Sequence, residues 1–210
     1  MKSDFWHQRW QQKEIGFHNE NTNAYLMTHW KSLVTPSDSH VFVPLCGKSQ
    51  DMLWLAKWGH KVLGVELSEI AVREFFEDAE IVPNITKQNG LILYESPNTS
   101  IYCGDLFLLR ASHLAKIQAV YDRGALVALP ETMRQAYAAH LINHLPQAIR
   151  GLLVTFEYNQ TTMQGPPFSV PENEIRKLFV GFDEIKKLEV DEIEFRQETV
   201  QMHIWKYIRR

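Results

Sequence analysis

A doubly wound α/β sandwich is predicted by three features of the chain. Apolar strand-like runs alternate with segments of helical period, those runs are apolar on both faces, and the last two follow one another with no helix between them. Strands buried on both faces build a mostly parallel sheet with a helical layer on each side, a Rossmann-like three-layer arrangement. The direct connection at the end makes one strand antiparallel. A chain of 210 residues, 45% hydrophobic and 22% charged, fits a single core. Residues 1–210 are therefore expected to form one domain, with residues 1–35 as a helical arm preceding the sheet.

The arm carries Phe5, Trp6, Trp10 and Phe17 among polar residues. The first strand covers residues 40–45. In SQDMLWLAKWG, Met52, Leu55 and Ala56 recur at helical spacing and Gly59 supplies a stop. KVLGVELS is the second strand, with Ser68 placed to cap the helix SEIAVREFFEDAE. A less regular insert around residues 83–98 contains LILYES as an extra strand, after which SIYCGDLF is the third main strand and AVYDRGAL the fourth. Residues 131–145 place Met133, Ala136, Tyr137, Leu141 and Leu145 on one helical stripe behind Pro130. GLLVTFEYN is the fifth strand, TTMQGPPFSV a loop and PENEIRKLF a helix, and FDEIKKLEVDEI and VQMHIWKYI close the sheet at seven main strands.

A net charge of −3 gives no electrostatic footprint for nucleic acid or an anionic membrane. The N-terminus lacks the apolar core of a signal peptide and no run approaches a membrane span, so the cytoplasm is the expected location. The two cysteines, Cys46 and Cys103, end apolar runs and are expected as buried thiols, and the nine histidines show no ligand spacing. No metal is expected.

The stretch VFVPLCGKSQ invites comparison with a phosphate-binding loop, but that pattern needs a second glycine where this chain has Phe42. Ligands of open α/β sheets sit beyond the carboxyl ends of the strands. The second strand ends at Glu66, about 20 residues beyond Gly47, where an acid belongs that accepts from both ribose hydroxyls. A helix-start acid favouring the dipole is the plainer alternative. The third strand ends at Asp105, read either as acceptor for an adenine amino group with Leu106 beside the ring, or as an ordinary turn acid. The fourth ends at Asp122-Arg123-Gly124, a charged pair in an otherwise apolar segment. A dinucleotide would require a glycine-rich pyrophosphate turn; a nucleoside with an amino-acid tail would not, and S-adenosylmethionine fits that description.

Several blocks together, FWHQRWQ with EIGFH, PLCGKSQDMLWLA, GVELSE, YCGDLF, YDRGALVAL and GPPF, resemble the thiopurine S-methyltransferase family along essentially the whole chain. The resemblance implies a class I methyltransferase of sheet order 3-2-1-4-5-7-6. Such an enzyme uses S-adenosylmethionine, releasing S-adenosylhomocysteine, to methylate sulfur on aromatic and heterocyclic thiols such as thiopurines; bacterial relatives are also linked to selenium and tellurium compounds. It implies cofactor contacts at Trp10, Leu45, Glu66, Asp105, Leu106 and Arg123, and substrate contacts at Phe17, Pro166, Pro167 and Arg196. Arg123 is the candidate catalytic residue, a cation that favours the thiolate. The arm is expected to close the crevice, with Trp10 against the sulfonium end and Phe17 on the acceptor ring; simple packing on the sheet is the alternative. A small thiol is the expected partner and a monomer the expected state. Two rivals remain: an NAD-dependent oxidoreductase, which would share Glu66 but need the glycine-rich turn, and a silent nucleoside-binding protein, which could lose Asp122-Arg123 and the arm.

Overall fold

The computed structural model describes residues 3–33 and 35–210. Two helices, α1 (Ser3–Gln11) and α2 (Ala24–His29), precede the sheet, the second running into a short 3-10 turn (Trp30–Leu33). Strand β1 (His40–Pro44) follows; Val41 and Val43 face one core and Phe42 the other, so the run is apolar because both faces are covered. Next come α3 (Gln50–Lys57), β2 (Lys61–Glu66) and α4 (Glu69–Asp78). The GKS triplet resolves here into helix chemistry. Ser49 caps α3, its hydroxyl accepting from the Asp51 N–H at 3.2 Å, while Lys48 pairs with Asp78 at 2.9 Å and Glu74 at 3.2 Å on α4. Ser68 takes the N-cap position of α4, but its side chain makes no cap bond, contrary to expectation.

The insert forms a hairpin, β3 (Asn84–Gln88) and β4 (Leu91–Glu95), before β5 (Thr99–Cys103). Then come α5 (Ala111–Leu114), β6 (Ile117–Arg123), α6 (Ala125–Ala128), α7 (Glu131–His144), β7 (Ile149–Glu157), α8 (Glu172–Leu178), β8 (Glu184–Phe195) and β9 (Glu198–Arg209). On α7 the inward stripe includes Arg134 and Ala138, whereas Ala136, read on that stripe, is exposed.

The sheet has nine strands in the order β3-β4-β5-β2-β1-β6-β7-β9-β8, which corrects the expected count of seven and the order that went with it. The added pair lies at one edge. Two strands run against the rest rather than one: β9, antiparallel to β7 and β8, and β4, antiparallel to β3 and β5. The other core pairings, β1 with β2 and β6, β2 with β5 and β6 with β7, are parallel. One hydrophobic cluster joins the sheet to α2, α3 and α4, and the other joins it to α6, α7 and α8, giving three layers. The chain winds outward from β1 through β2 to β5, then returns to the other side of β1 at β6. A crevice therefore opens at the carboxyl ends of β1, β2 and β6, the switch point of such sheets. Among the described residues no helix is long and apolar enough to cross a membrane.

Candidate active site

A cavity of about 1090 Å³ occupies that crevice, and Trp10, Phe17, Leu45, Glu66, Asp105, Leu106, Arg123, Pro166, Pro167 and Arg196 all line it. These are the residues singled out from the sequence. They come from four strand ends, the arm, the loop after β7 and the β8–β9 turn.

Glu66, 6% exposed at the end of β2, holds the floor together. Its Oε1 accepts the Ser68 N–H at 2.8 Å and its Oε2 the Gly47 N–H at 2.9 Å. Burial pushes its pKa up, and these backbone donors pull it back by favouring the anion. Each carboxylate oxygen can accept two hydrogen bonds, so acceptor capacity remains toward the cavity. Gly47 lies at φ +54, and a Cβ there would come within 3.3 Å of the Trp10 ring. The missing side chain lets the indole, only 2% exposed, lie directly on the turn after β1. Leu45, in the same turn, has φ +45.

Asp105 is exposed and follows β5; its Oδ1 accepts the Phe107 N–H at 2.9 Å, so the turn-acid role is real. Among the described residues Oδ2 carries no hydrogen bond. Leu106 beside it is 4% exposed. At the end of β6, the adjacent charges Asp122 and Arg123 do not bond to each other. Successive strand residues point to opposite faces. The Asp122 carboxylate turns inward to the Tyr137 hydroxyl at 2.6 Å, whereas Arg123, half-buried, lines the cavity with no hydrogen bond or ion pair among the described residues.

The arm is closed over this floor. Trp6 and Trp10 meet Phe17 edge to face, with centroids 5.5 and 5.6 Å apart. Lys13 pairs with Glu74 on α4, and Glu74 also pairs with Lys48, so the arm is tied to the turn after β1 through one carboxylate. Gln164, Gly165, Pro166 and Pro167, in the loop after β7, form a further wall of the cavity, with Gly165-Pro166 and Pro166-Pro167 both cis. The Tyr158 hydroxyl donates to the Pro167 carbonyl at 2.6 Å. Arg196, at φ +52, lies over the Phe195 ring at 5.0 Å, and its Nη1 approaches the Gln164 carbonyl at 3.4 Å.

Sequence reasoning missed Tyr137, Phe156, Phe195 and His18 on the cavity wall. Tyr137 was legible only as a core residue of α7, and Phe156 only as a residue of a buried strand. Both cysteines are buried and free; burial drives the Cys46 thiol well up and the Cys103 thiol to about 12, so neither supplies a thiolate nucleophile. Among the described residues no group of three or more His, Cys, Asp or Glu is placed to hold a metal.

The family model for thiopurine S-methyltransferase matches residues 1–207. A thiopurine S-methyltransferase of Azotobacter vinelandii is 45% identical over 210 residues, covering 100% of this chain and 93% of the relative. One from Pseudomonas entomophila is 48% identical over 192 residues, 90% of this chain and 89% of the relative. Among solved structures, an S-adenosylmethionine-dependent methyltransferase from Anabaena variabilis superposes with TM-score 0.69 at 13% identity, covering 99% of this chain and 95% of that one. Magnesium protoporphyrin IX methyltransferase from Synechocystis, with bound S-adenosylmethionine, gives 0.65 at 16% identity, with 99% and 95% covered. These two structures share the fold.

Proposed function

The chain belongs to the thiopurine S-methyltransferase family, and from that premise we propose that it transfers a methyl group from S-adenosylmethionine to the sulfur of aromatic and heterocyclic thiols, thiopurines among them. The observation that carries this reading is an Arg123 guanidinium, without a hydrogen bond or ion pair among the described residues, lining the same cavity as the Glu66 carboxylate. A half-buried guanidinium with no partner among the described residues calls for an anion, and a thiolate is one.

The residues present suit the cofactor. Glu66 would accept from the ribose hydroxyls with the acceptor capacity its backbone bonds leave free. Asp105 would use Oδ2 for the adenine amino group, with Leu106 and Leu45 against the ring and ribose. The Trp10 face would meet the sulfonium end, since aromatic faces attract cations. The single glycine of the turn after β1 supports a nucleoside ligand over a dinucleotide. S-Adenosylmethionine, when bound, would supply a methyl group activated by a positively charged sulfur, with S-adenosylhomocysteine as the leaving group when the methyl passes to a thiolate.

The chain's own part is to bind, orient and exclude water. Phe17, Pro166 and Pro167 would clamp the acceptor ring, Arg196 would hold its polar edge at the rim, and Arg123 would favour the thiolate over the thiol. Selenium and tellurium compounds fall within the same proposal because their anions are also soft nucleophiles. A single domain working as a monomer in the cytoplasm is part of this reading. Calorimetric titration with S-adenosylmethionine, S-adenosylhomocysteine and NAD, followed by a thiol and selenium screen read by mass spectrometry, tests it. Binding of NAD alone, or no methylated product from any acceptor, would overturn it; light scattering tests the monomer.

A further inference from the structure

Asp122 sits 1% exposed where β6 ends, and its hydrogen bonds reach past the adjoining arginine into α6. Its Oδ1 accepts the N–H groups of Ala125 at 3.1 Å and Leu126 at 3.2 Å, and its Oδ2 takes the Tyr137 hydroxyl at 2.6 Å. Those two amides are first-turn donors that a helix cannot satisfy itself. Gly124, at φ +113, allows the reversal that brings them back over the carboxylate. Four residues are too few to be helical unaided, so the shape of α6 is imposed by its surroundings. At its other end the Val127 carbonyl accepts the N–H of Phe168, the residue after the wall-forming Pro167, at 2.6 Å, and the Leu129 carbonyl accepts from Arg134 at 3.0 Å. Arg134 is itself fixed by Glu174 of α8 at 2.6 and 2.8 Å. α6 is thus a short strut between the Arg123 turn and residues 165–168.

We propose that Asp122 and Tyr137 are positioning residues that, through α6, hold the Arg123 turn and the acceptor wall at a fixed separation; this rests on the thiol methyltransferase reading above. One wall places the thiolate and the other places the ring that bears it. Their separation sets how closely sulfur approaches the methyl carbon, where about 1 Å of error costs on the order of 100-fold in rate.

The test uses the full chain with a thiol that the wild type methylates. Asp122→Ala removes both acceptors, Asp122→Asn keeps a carbonyl oxygen for the α6 amides, and Tyr137→Phe removes only a hydroxyl. The Ala variant is expected to lose about 10- to 100-fold in kcat and to raise the thiol KM, with S-adenosylhomocysteine affinity within about threefold, and the Asn variant to recover most of the loss. Tyr137→Phe combined with Tyr158→Phe, which frees the Pro167 carbonyl across the strut, is expected to depart from the product of the single effects on kcat/KM by about threefold or more. Affinity falling in step with kcat, an Asn variant no better than Ala, or simple multiplication of the two tyrosine effects would each overturn the proposal. If Asp122→Ala does not fold, the tyrosine cycle decides alone. A wild type that binds the cofactor but methylates no acceptor would overturn the reading beneath it, and this proposal with it.

Discussion

Glu66 holds two backbone amides with one carboxylate, and the ribose role proposed for it is separately testable. Its oxygens already hold the Gly47 and Ser68 amides, so Glu66→Gln exchanges one acceptor for a donor facing an N–H. S-Adenosylhomocysteine binding is expected to weaken by about 1.5 to 3 kcal/mol, the range for hydrogen bonds to a charged group. Calorimetry showing unchanged affinity in the folded variant would remove the ribose assignment. Arg123 is the complementary case. Arg123→Lys keeps the charge but loses the planar fork, so kcat should fall about tenfold or more with cofactor affinity less affected; turnover at the wild-type rate across pH would make the arginine structural. At this scale the sequence was legible where a strand end coincides with a charge, which is why Glu66, Asp105 and Arg123 could be placed on one cavity. It was not legible where a charged residue serves the core. Asp122 and Arg123 are adjacent in sequence and look like a pair, and only the alternation of side chains at a strand end separates them.

Among the elements, the arm makes the sharpest prediction. It is held by Trp10 on Gly47 and by the Lys13–Glu74–Lys48 bridge, and Trp10, Gly47 and Lys48 line the part of the cavity proposed for the cofactor. If the cofactor binds as proposed, it adds a surface for Trp10 to cover, so amide protection over residues 3–20 should rise with S-adenosylhomocysteine. Equal protection in both states would exclude a lid, and full activity after removing residues 1–17 would exclude any role in catalysis. The hairpin β3–β4 is where element reading fell short. LILYES was visible as an apolar run, but its partner, NITKQ, is exposed along its whole length and offers no alternation between a wet and a dry face. The usable signal was the turn: Asn89 and Gly90, at φ +46 and +86, are the Asn-Gly pair that closes a two-residue hairpin. The apolar core strands announced themselves because burial on both faces leaves little choice of residue.

The whole molecule carries its buried acids and histidines in opposite senses, and this fixes how stability responds to pH. Burial lowers the pKa of His18, His40, His60, His140 and His203, so the unfolded chain binds protons that the folded one refuses, and stability falls as pH drops below 6.5. Burial raises Glu66 and Asp122, the latter to about 6 from 3.8. A raised acid works the other way: its contribution is fully present below the unfolded pKa and is lost as pH rises through the folded one. Between pH 4 and 6, protonation of Asp122 therefore opposes the loss from the histidines. Its shift of about two units corresponds to about 3 kcal/mol. Asp122→Asn removes that titration while keeping the size of the side chain. Relative to wild type, the variant should be at its most favourable near pH 7, where the wild type holds a buried anion, and should lose about 3 kcal/mol of that standing by pH 4. Urea titrations of both proteins from pH 4 to 7 measure this directly. Parallel stability curves would mean that Asp122 stays ionised throughout, held by the Tyr137 hydroxyl and the two α6 amides more strongly than burial opposes it.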